Sequence, residues 1–253
     1  EQEVGKIFDM PNTAPPITHE KDVQERLRLV PGSREGDYFL YIGATSDESQ
    51  LEEAVKCYDR YGEVVGIKLF AGKSVGDLAV IDEQEQRKVY ETLAKLGYEG
   101  VVAVHCEKEA YLRPELWNPF KPVTHSNARP KEAEIESIRD QIRLVKETGF
   151  DGVLHICHIS CPESVDLVSA VRGEIKITAG VTPHHLMWDN GMMSESSHGL
   201  LYKMNPPLRD YEDVLRLNEC IKTGKIDWIE TDHAPHTREE KVEAPYLSGY
   251  PSL

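Results

Sequence analysis

The chain contains no apolar run approaching the roughly 18 residues that a membrane-spanning helix needs, so no segment reads as one. Positive charge is scarce: 29 Lys and Arg stand against 44 Asp and Glu in 253 residues, for a net charge of −15. Nucleic acids and anionic membranes attract Lys and Arg, and a net charge of this sign argues against both as partners. An anionic ligand would need local positive charge from a metal, a histidine or an arginine. Cysteine is sparse too. The five cysteines, Cys57, Cys106, Cys157, Cys161 and Cys220, are scattered with no CxxC pair. That excludes a disulfide framework and points to a reducing, cytoplasmic setting. Cys157 and Cys161 are four apart, but Pro162 and the strand-like run around Cys157 argue against a zinc knuckle. The acidic start, Glu1-Gln2-Glu3-Val4-Gly5, carries no signal-peptide pattern. Neither an internal repeat nor a low-complexity linker interrupts the chain.

What is present is a regular alternation. A composition of 40% hydrophobic and 29% charged residues is that of a soluble globular chain, and the length suits one large α/β domain. Apolar strand-like runs cover Lys6–Met10, Tyr38–Ala44, Val64–Ala71, Gly100–Glu107, Gly152–Ser160, Ile175–Val181 and Ile226–Thr231. Charged stretches with helical spacing lie between them: Asp22–Leu29, Glu48–Tyr61, Asp82–Leu96, Lys131–Thr148, Pro162–Val171 and Tyr211–Thr223. Pro162 suits a first helical turn. Gly97, Gly149, Gly173 and Gly224 fall just past helix ends, where a left-handed residue is expected. The Pro- and aromatic-rich segment Glu109–Pro130 reads as a strand-to-helix loop.

Alternating strands and helices predict parallel βαβ units. Candidate ligands follow nearly every strand, which favours a barrel with its active face at the strand C-termini over an open sheet with one crevice. The expected fold is an α/β (β/α)8 TIM-type barrel, read as a single incomplete domain over 1–253. Seven strands are one short of eight, so a first strand is expected before residue 1.

Four strand ends carry the chemistry. Lys68 sits in Gly66-Ile67-Lys68-Leu69-Phe70, His105 in Val104-His105-Cys106 and His158 in Ile156-Cys157-His158-Ile159-Ser160. Asp232 opens Asp232-His233-Ala234-Pro235-His236. Strand alternation makes His155 and His158 point oppositely, and His158, nearer the end, is the expected ligand. Neutral imidazoles and a carboxylate suit zinc. Lys68 is the odd member, because an ammonium facing a dication is disfavoured. Either its stem packs along the strand with the amine reaching solvent, or the neutral amine is carboxylated by carbon dioxide to an anionic ligand able to bridge two metals.

Taken with Asp9-Met10-Pro11-Asn12-Thr13, Thr182-Pro183-His184-His185-Leu186 and Met204-Asn205-Pro206-Pro207-Leu208-Arg209, these motifs resemble, in order, those of the dihydroorotases of the amidohydrolase superfamily, on the branch with a carboxylated lysine. The resemblance implies two zinc ions bridged by carboxylated Lys68, with His105 and His158 on one and Asp232 on the other. It implies Asp232 as the catalytic acid/base, and Asn12, Asn205 and His236 as substrate-binding residues. A His-x-His pair and an Arg would precede residue 1. The implied reaction interconverts N-carbamoyl-L-aspartate and L-dihydroorotate in de novo pyrimidine biosynthesis. Implied partners are a small-molecule substrate, a second copy in a homodimer and aspartate transcarbamoylase. Arg129 reads as structural, and His184 and His185 stay open between site and packing roles. Two alternatives remain. One is a dihydropyrimidinase, hydantoinase or allantoinase; the other is an inactive amidohydrolase-like scaffold.

Overall fold

The computed structural model describes residues 4–34, 36–74, 78–194 and 198–252, so Glu1-Gln2-Glu3 of the acidic start lies outside the described residues. Strands β1 (Ile7–Asp9), β2 (Tyr38–Gly43), β3 (Val64–Phe70), β4 (Val101–His105), β5 (Val153–Ile156), β6 (Ile177–Val181) and β7 (Trp228–Ile229) alternate with helices. The helices are α1 (Glu20–Arg28), α2 (Glu48–Arg60), α3 (Glu83–Lys95), α4 (Thr124–Ala128), α5 (Lys131–Thr148), α6 (Pro162–Val171), α7 (Pro183–Met187), α8 (Tyr211–Lys222) and α9 (Arg238–Val242). None of the described helices is long and apolar enough to cross a membrane.

The chain divides into two compact units. The first comprises Glu1–His105, Asp140–His155 and Glu174–Lys176. In it β1, β2, β3 and β4 pair in chain order, all parallel. Parallel strands covered on both faces need apolar side chains on both, and β3 is buried along nearly its whole length. Leu40, Ile42, Ile67, Leu69, Val102, Val104 and Leu154 are fully buried there. A chain of amides ties the helices together: Tyr90 Oη donates to Gln141 Oε1 (2.8 Å), Gln141 Nε2 to Gln86 Oε1 (2.7 Å) and Gln86 Nε2 to the Val80 carbonyl (2.8 Å). Each buried amide is thereby satisfied rather than left as a desolvated cost.

The second unit comprises Cys106–Arg139, Ile156–Gly173 and Ile177–Leu253. Here β6 and β7 pair in parallel, with Gly180 opposite Trp228. Met193, Met204 and Leu208 form an apolar cluster under Val123, Trp188, Tyr202 and Tyr250.

The elements follow the periodicity closely. Lys131–Thr148 and Pro162–Val171 form helices with the predicted bounds. Gly97, Gly149 and Gly224 adopt positive φ, at 67°, 70° and 70°. Gly173 does not. The chain leaves α6 with Arg172 still right-handed, so no left-handed residue is needed there. Strand β5 stops at Ile156 instead of running to Ser160, because His158 at φ 38° breaks the pleat. The expected loop Glu109–Pro130 holds the short helix α4. All five cysteines are buried and free.

Helix starts carry side-chain caps. Asp82 Oδ1 accepts from the backbone N–H of Gln84 (2.8 Å) and Glu85 (3.1 Å). Replacing Asp82 with Ala leaves both donors to water and is expected to cost about 1 kcal/mol of stability, measured by urea unfolding.

Candidate functional site

In the first unit the register fixes the geometry. Lys68 pairs with Ala103 and Phe70 with His105. Partners in a parallel ladder share a face, and so do residues two apart on one strand. Lys68, Phe70 and His105 therefore project to the same face at the C-terminal ends of β3 and β4. The contacts agree: Lys68 Nζ lies 5.1 Å from the centroid of the Phe70 ring, and the Phe70 and His105 rings are 6.2 Å apart at 36°. Both candidate ligands are buried, Lys68 at 2% and His105 at 1% exposure. A Lys this deeply covered is not one whose amine reaches bulk water along the strand, so that reading of Lys68 is not what the structure holds. Asn12 lies three residues beyond β1, in a turn where the Ile17 N–H donates to the Pro11 carbonyl (3.0 Å).

In the second unit the backbone carries the signal. Among the described residues, the only non-glycine positions with positive φ are His158 (38°), Asp232 (44°) and Tyr246 (57°). Left-handed backbone costs a side-chain-bearing residue on the order of 1 kcal/mol or more, and such strain gathers at functional sites. Two of the three are sequence-predicted ligands. Because β5 ends before His158, strand alternation does not set its direction; the turn does. Glu230 sustains that turn, its carboxylate accepting from the His158 backbone N–H. The carboxylate also lies within 4.8 Å of Cys157 Sγ. Gly180 makes room for it, since a Cβ there would collide with the Glu230 carboxyl group. The sequence analysis missed Glu230. The available signal was a carboxylate between apolar Ile229 and Thr231, at a strand end that also holds Asp232.

Asn205 is held by His125, whose Nε2 bridges Asn205 Oδ1 (3.0 Å) and the Met204 carbonyl (2.9 Å). His236 Nε2 contacts the Ser248 carbonyl at 3.2 Å. It does not cap α9; Thr237 does, its Oγ1 accepting from the Glu240 N–H at 3.3 Å. Around these sit buried ion pairs. Arg129 forks onto fully buried Glu107 through Nε (3.0 and 3.1 Å) and Nη2 (2.5 Å), in keeping with a structural Arg. Glu134 accepts from Ser160 and from Ser164 Oγ (2.6 Å), while Arg209 Nε donates to Ser160 Oγ (2.8 Å). Burial pushes the Glu134 carboxyl up, against the pull of Arg209 and the serine hydroxyls.

The two histidines after β6 differ in role. Thr182 caps α7, and its hydroxyl sits 2.7 Å from His185 Nδ1; His185 Nε2 reaches the Pro206 carbonyl at 3.1 Å. His185 is therefore a packing residue. The ring nitrogens of His184 have no hydrogen-bond partner among the described residues, and its ring packs against Tyr250 at 5.3 Å.

No family model matches the chain. It is similar to dihydroorotase from Methanosarcina mazei, 29% identical over 261 residues that cover 98% of this chain and 54% of that protein. Dihydroorotase from Caldanaerobacter subterraneus is 35% identical over 244 residues, 94% of this chain and 53% of the relative. That from Brevibacillus brevis is 37% identical over 185 residues, 68% of this chain and 42% of the relative. The chain belongs to the dihydroorotase family. It spans about half the length of the curated dihydroorotases it matches. Among solved structures, the L-hydantoinase from Arthrobacter aurescens superposes with a TM-score of 0.81 at 25% identity, over 98% of this chain and 56% of that one. The dihydropyrimidinase from Brevibacillus agri does so at 0.82 and 21%, over 98% of this chain and 56% of its own, a likeness of fold. The predicted amidohydrolase-type α/β barrel is thus the fold this dihydroorotase-family chain shares with them.

Buried histidines make the second unit acid-sensitive. Burial, with Lys203 and Arg129 nearby, holds His125 down to about 3, and burial alone holds His184 down to about 4. Both are neutral when folded and take up protons near pH 6.5 when unfolded. Their contribution is complete above about pH 6.5 and is lost as pH falls through about 4 and then about 3. Urea unfolding across this range is expected to show stability falling with pH. In His184→Asn the slope between about pH 6.5 and 4 is expected to be shallower.

Proposed function

We propose that the protein carrying this chain is a zinc-dependent cyclic amidohydrolase that interconverts N-carbamoyl-L-aspartate and L-dihydroorotate in de novo pyrimidine biosynthesis. The observation that carries the reading is the convergence of buried Lys68 and His105 on one face at the C-terminal ends of adjacent parallel strands. The dihydroorotase relatives support it.

The residues fit the implied metals by donor chemistry. His105 and His158 offer imidazoles. Asp232 offers a carboxylate on a strained backbone. A carboxylated Lys68 would offer two anionic oxygens from a site that otherwise buries an amine. Zinc bound there supplies Lewis acidity and a water acidified toward neutral pH. The protein's own residues do the rest. In the hydrolytic direction water adds to the ring amide carbonyl, and Asp232 takes its proton. The carbon–nitrogen bond breaks, and Asp232 returns the proton to the departing nitrogen, leaving a carboxylate and a ureido group. In reverse, the same steps close the ring. Asn12 and His236 bind the α-carboxylate and Asn205 bonds to the ring; His125 keeps the Asn205 amide aimed. The reading includes a cytoplasmic setting, which the five free thiols suit.

A cyclic amide without a carboxylate is the second reading, kept by the likeness to hydantoinase and dihydropyrimidinase. Steady-state kinetics separate the two. Dihydroorotate is expected to exceed dihydrouracil in kcat/KM by on the order of tenfold to a hundredfold, the worth of a charge-assisted bond of about 1.5–3 kcal/mol. A preference for dihydrouracil would sink the first reading. Lys68→Ala is expected to lose most turnover and to recover part of it with short carboxylic acids. Full turnover without them would refute the carbamate.

A further inference from the structure

The turn that carries His158 is anchored at three successive backbone amides. The His158 N–H donates to the Glu230 carboxylate, the Ile159 N–H to the Gly180 carbonyl (2.8 Å) and the Ser160 N–H to both oxygens of Glu134 (3.1 Å each). The anchors come from three separate places: just past β7, in β6 and in α5. A buried amide needs a partner, but a main-chain carbonyl or a water would serve. At Ser160 the partner is instead a carboxylate that is itself buried, at 1% exposure.

A buried carboxylate is a costly anchor unless its lone pairs are met. The donors that meet those of Glu134 come from one short stretch. They are the Ser160 N–H and Oγ, Cys161 Sγ (3.4 Å) and Ser164 Oγ (2.6 Å). The balancing cation does not touch it closely. Arg209 Nη2 stands 3.9 Å from Glu134, while Arg209 Nε donates to the Ser160 hydroxyl (2.8 Å) and Nη1 to the Arg129 carbonyl (2.6 Å). Ser160 therefore bridges an ion pair whose members do not meet.

A buried pair spaced in this way adds little stability that apolar side chains of the same volume would not supply. What it fixes is position, because one carboxylate meets all these donors only when residues 160–164 lie in one place. His158 stands two residues earlier at φ 38°, a conformation that persists only where its surroundings hold it. We propose that Glu134 is a positioning residue for His158: through Ser160 it fixes the backbone on the C-terminal side of that histidine, and with it the direction of the imidazole. Glu230 holds the amide of His158 itself, and Glu134 closes the turn from the other side. The proposal rests on the reading of His158 as a zinc ligand.

The test is a double-mutant cycle on zinc affinity, read by chelator competition on the folded full-length protein that carries this chain. Glu134→Gln keeps the volume and turns one acceptor oxygen into a donor, so Ser160 loses part of its anchor. It is expected to weaken zinc binding by about tenfold to a hundredfold. In a His158→Ala background, itself weaker in zinc than the unmutated protein, the same substitution is expected to change affinity by less than about twofold. The visible spectrum of the cobalt(II)-substituted protein reports ligand geometry, and is expected to shift with Glu134→Gln only where His158 is present. Should Glu134→Gln fail to fold, the same cycle is run with Ser160→Ala, which removes the bridging hydroxyl. An equal loss in both backgrounds, no loss beside an intact His158, or a cobalt spectrum that ignores the substitution would each overturn the proposal and leave the zinc reading standing. Unchanged zinc affinity in His158→Ala alone would refute the ligand reading, and the proposal with it.

Discussion

A parallel strand covered on both faces has room for a charged side chain only near its end. In the first unit β3 and β4 are apolar and buried until Lys68 and His105, and the ladder register then sets those two residues on one face beside Phe70. The placing of these two donors follows from that constraint. The apolar strand interiors hold the register, and the register holds the donors in line. The caps and amide chains of the surrounding helices keep the strands from shifting.

The second unit reaches a comparable end by different means. Its donors, His158 and Asp232, stand on left-handed backbone beyond short strands instead of on the strands themselves. A left-handed residue with a side chain persists only where its surroundings hold it. For His158 the Glu230 carboxylate does so, over the bare Cα of Gly180. The two units thus set their candidate ligands by unlike means, one by sheet register and the other by left-handed turns.

This difference explains what was legible in the sequence. Local periodicity carries strands and helices, so Lys131–Thr148 and Pro162–Val171 could be bounded to the residue. Lys68 and His105 stood out as candidates because an apolar run closing on a possible metal ligand is a local pattern. Strand alternation chose His158 over His155 for a reason that does not hold, since the strand ends at Ile156 and a turn takes over. Gly173 was misjudged because helix α6 ends without a left-handed residue. Glu230 stood in view at a strand end, but its contact with His158 spans 72 residues, and no window along the chain shows it.

The cysteines have a practical consequence. All five are free and buried, and burial, with Glu20 close by, lifts the Cys57 thiol to about 11. Burial beside Glu134 also lifts Cys161 well above the ordinary thiol value. At Cys57 and Cys161 thiolate, the reactive form, is therefore scarce while the fold holds, and burial shields all five. Thiol labelling becomes a clock for opening of the native chain, each newly reactive cysteine marking the part of the structure that has let go.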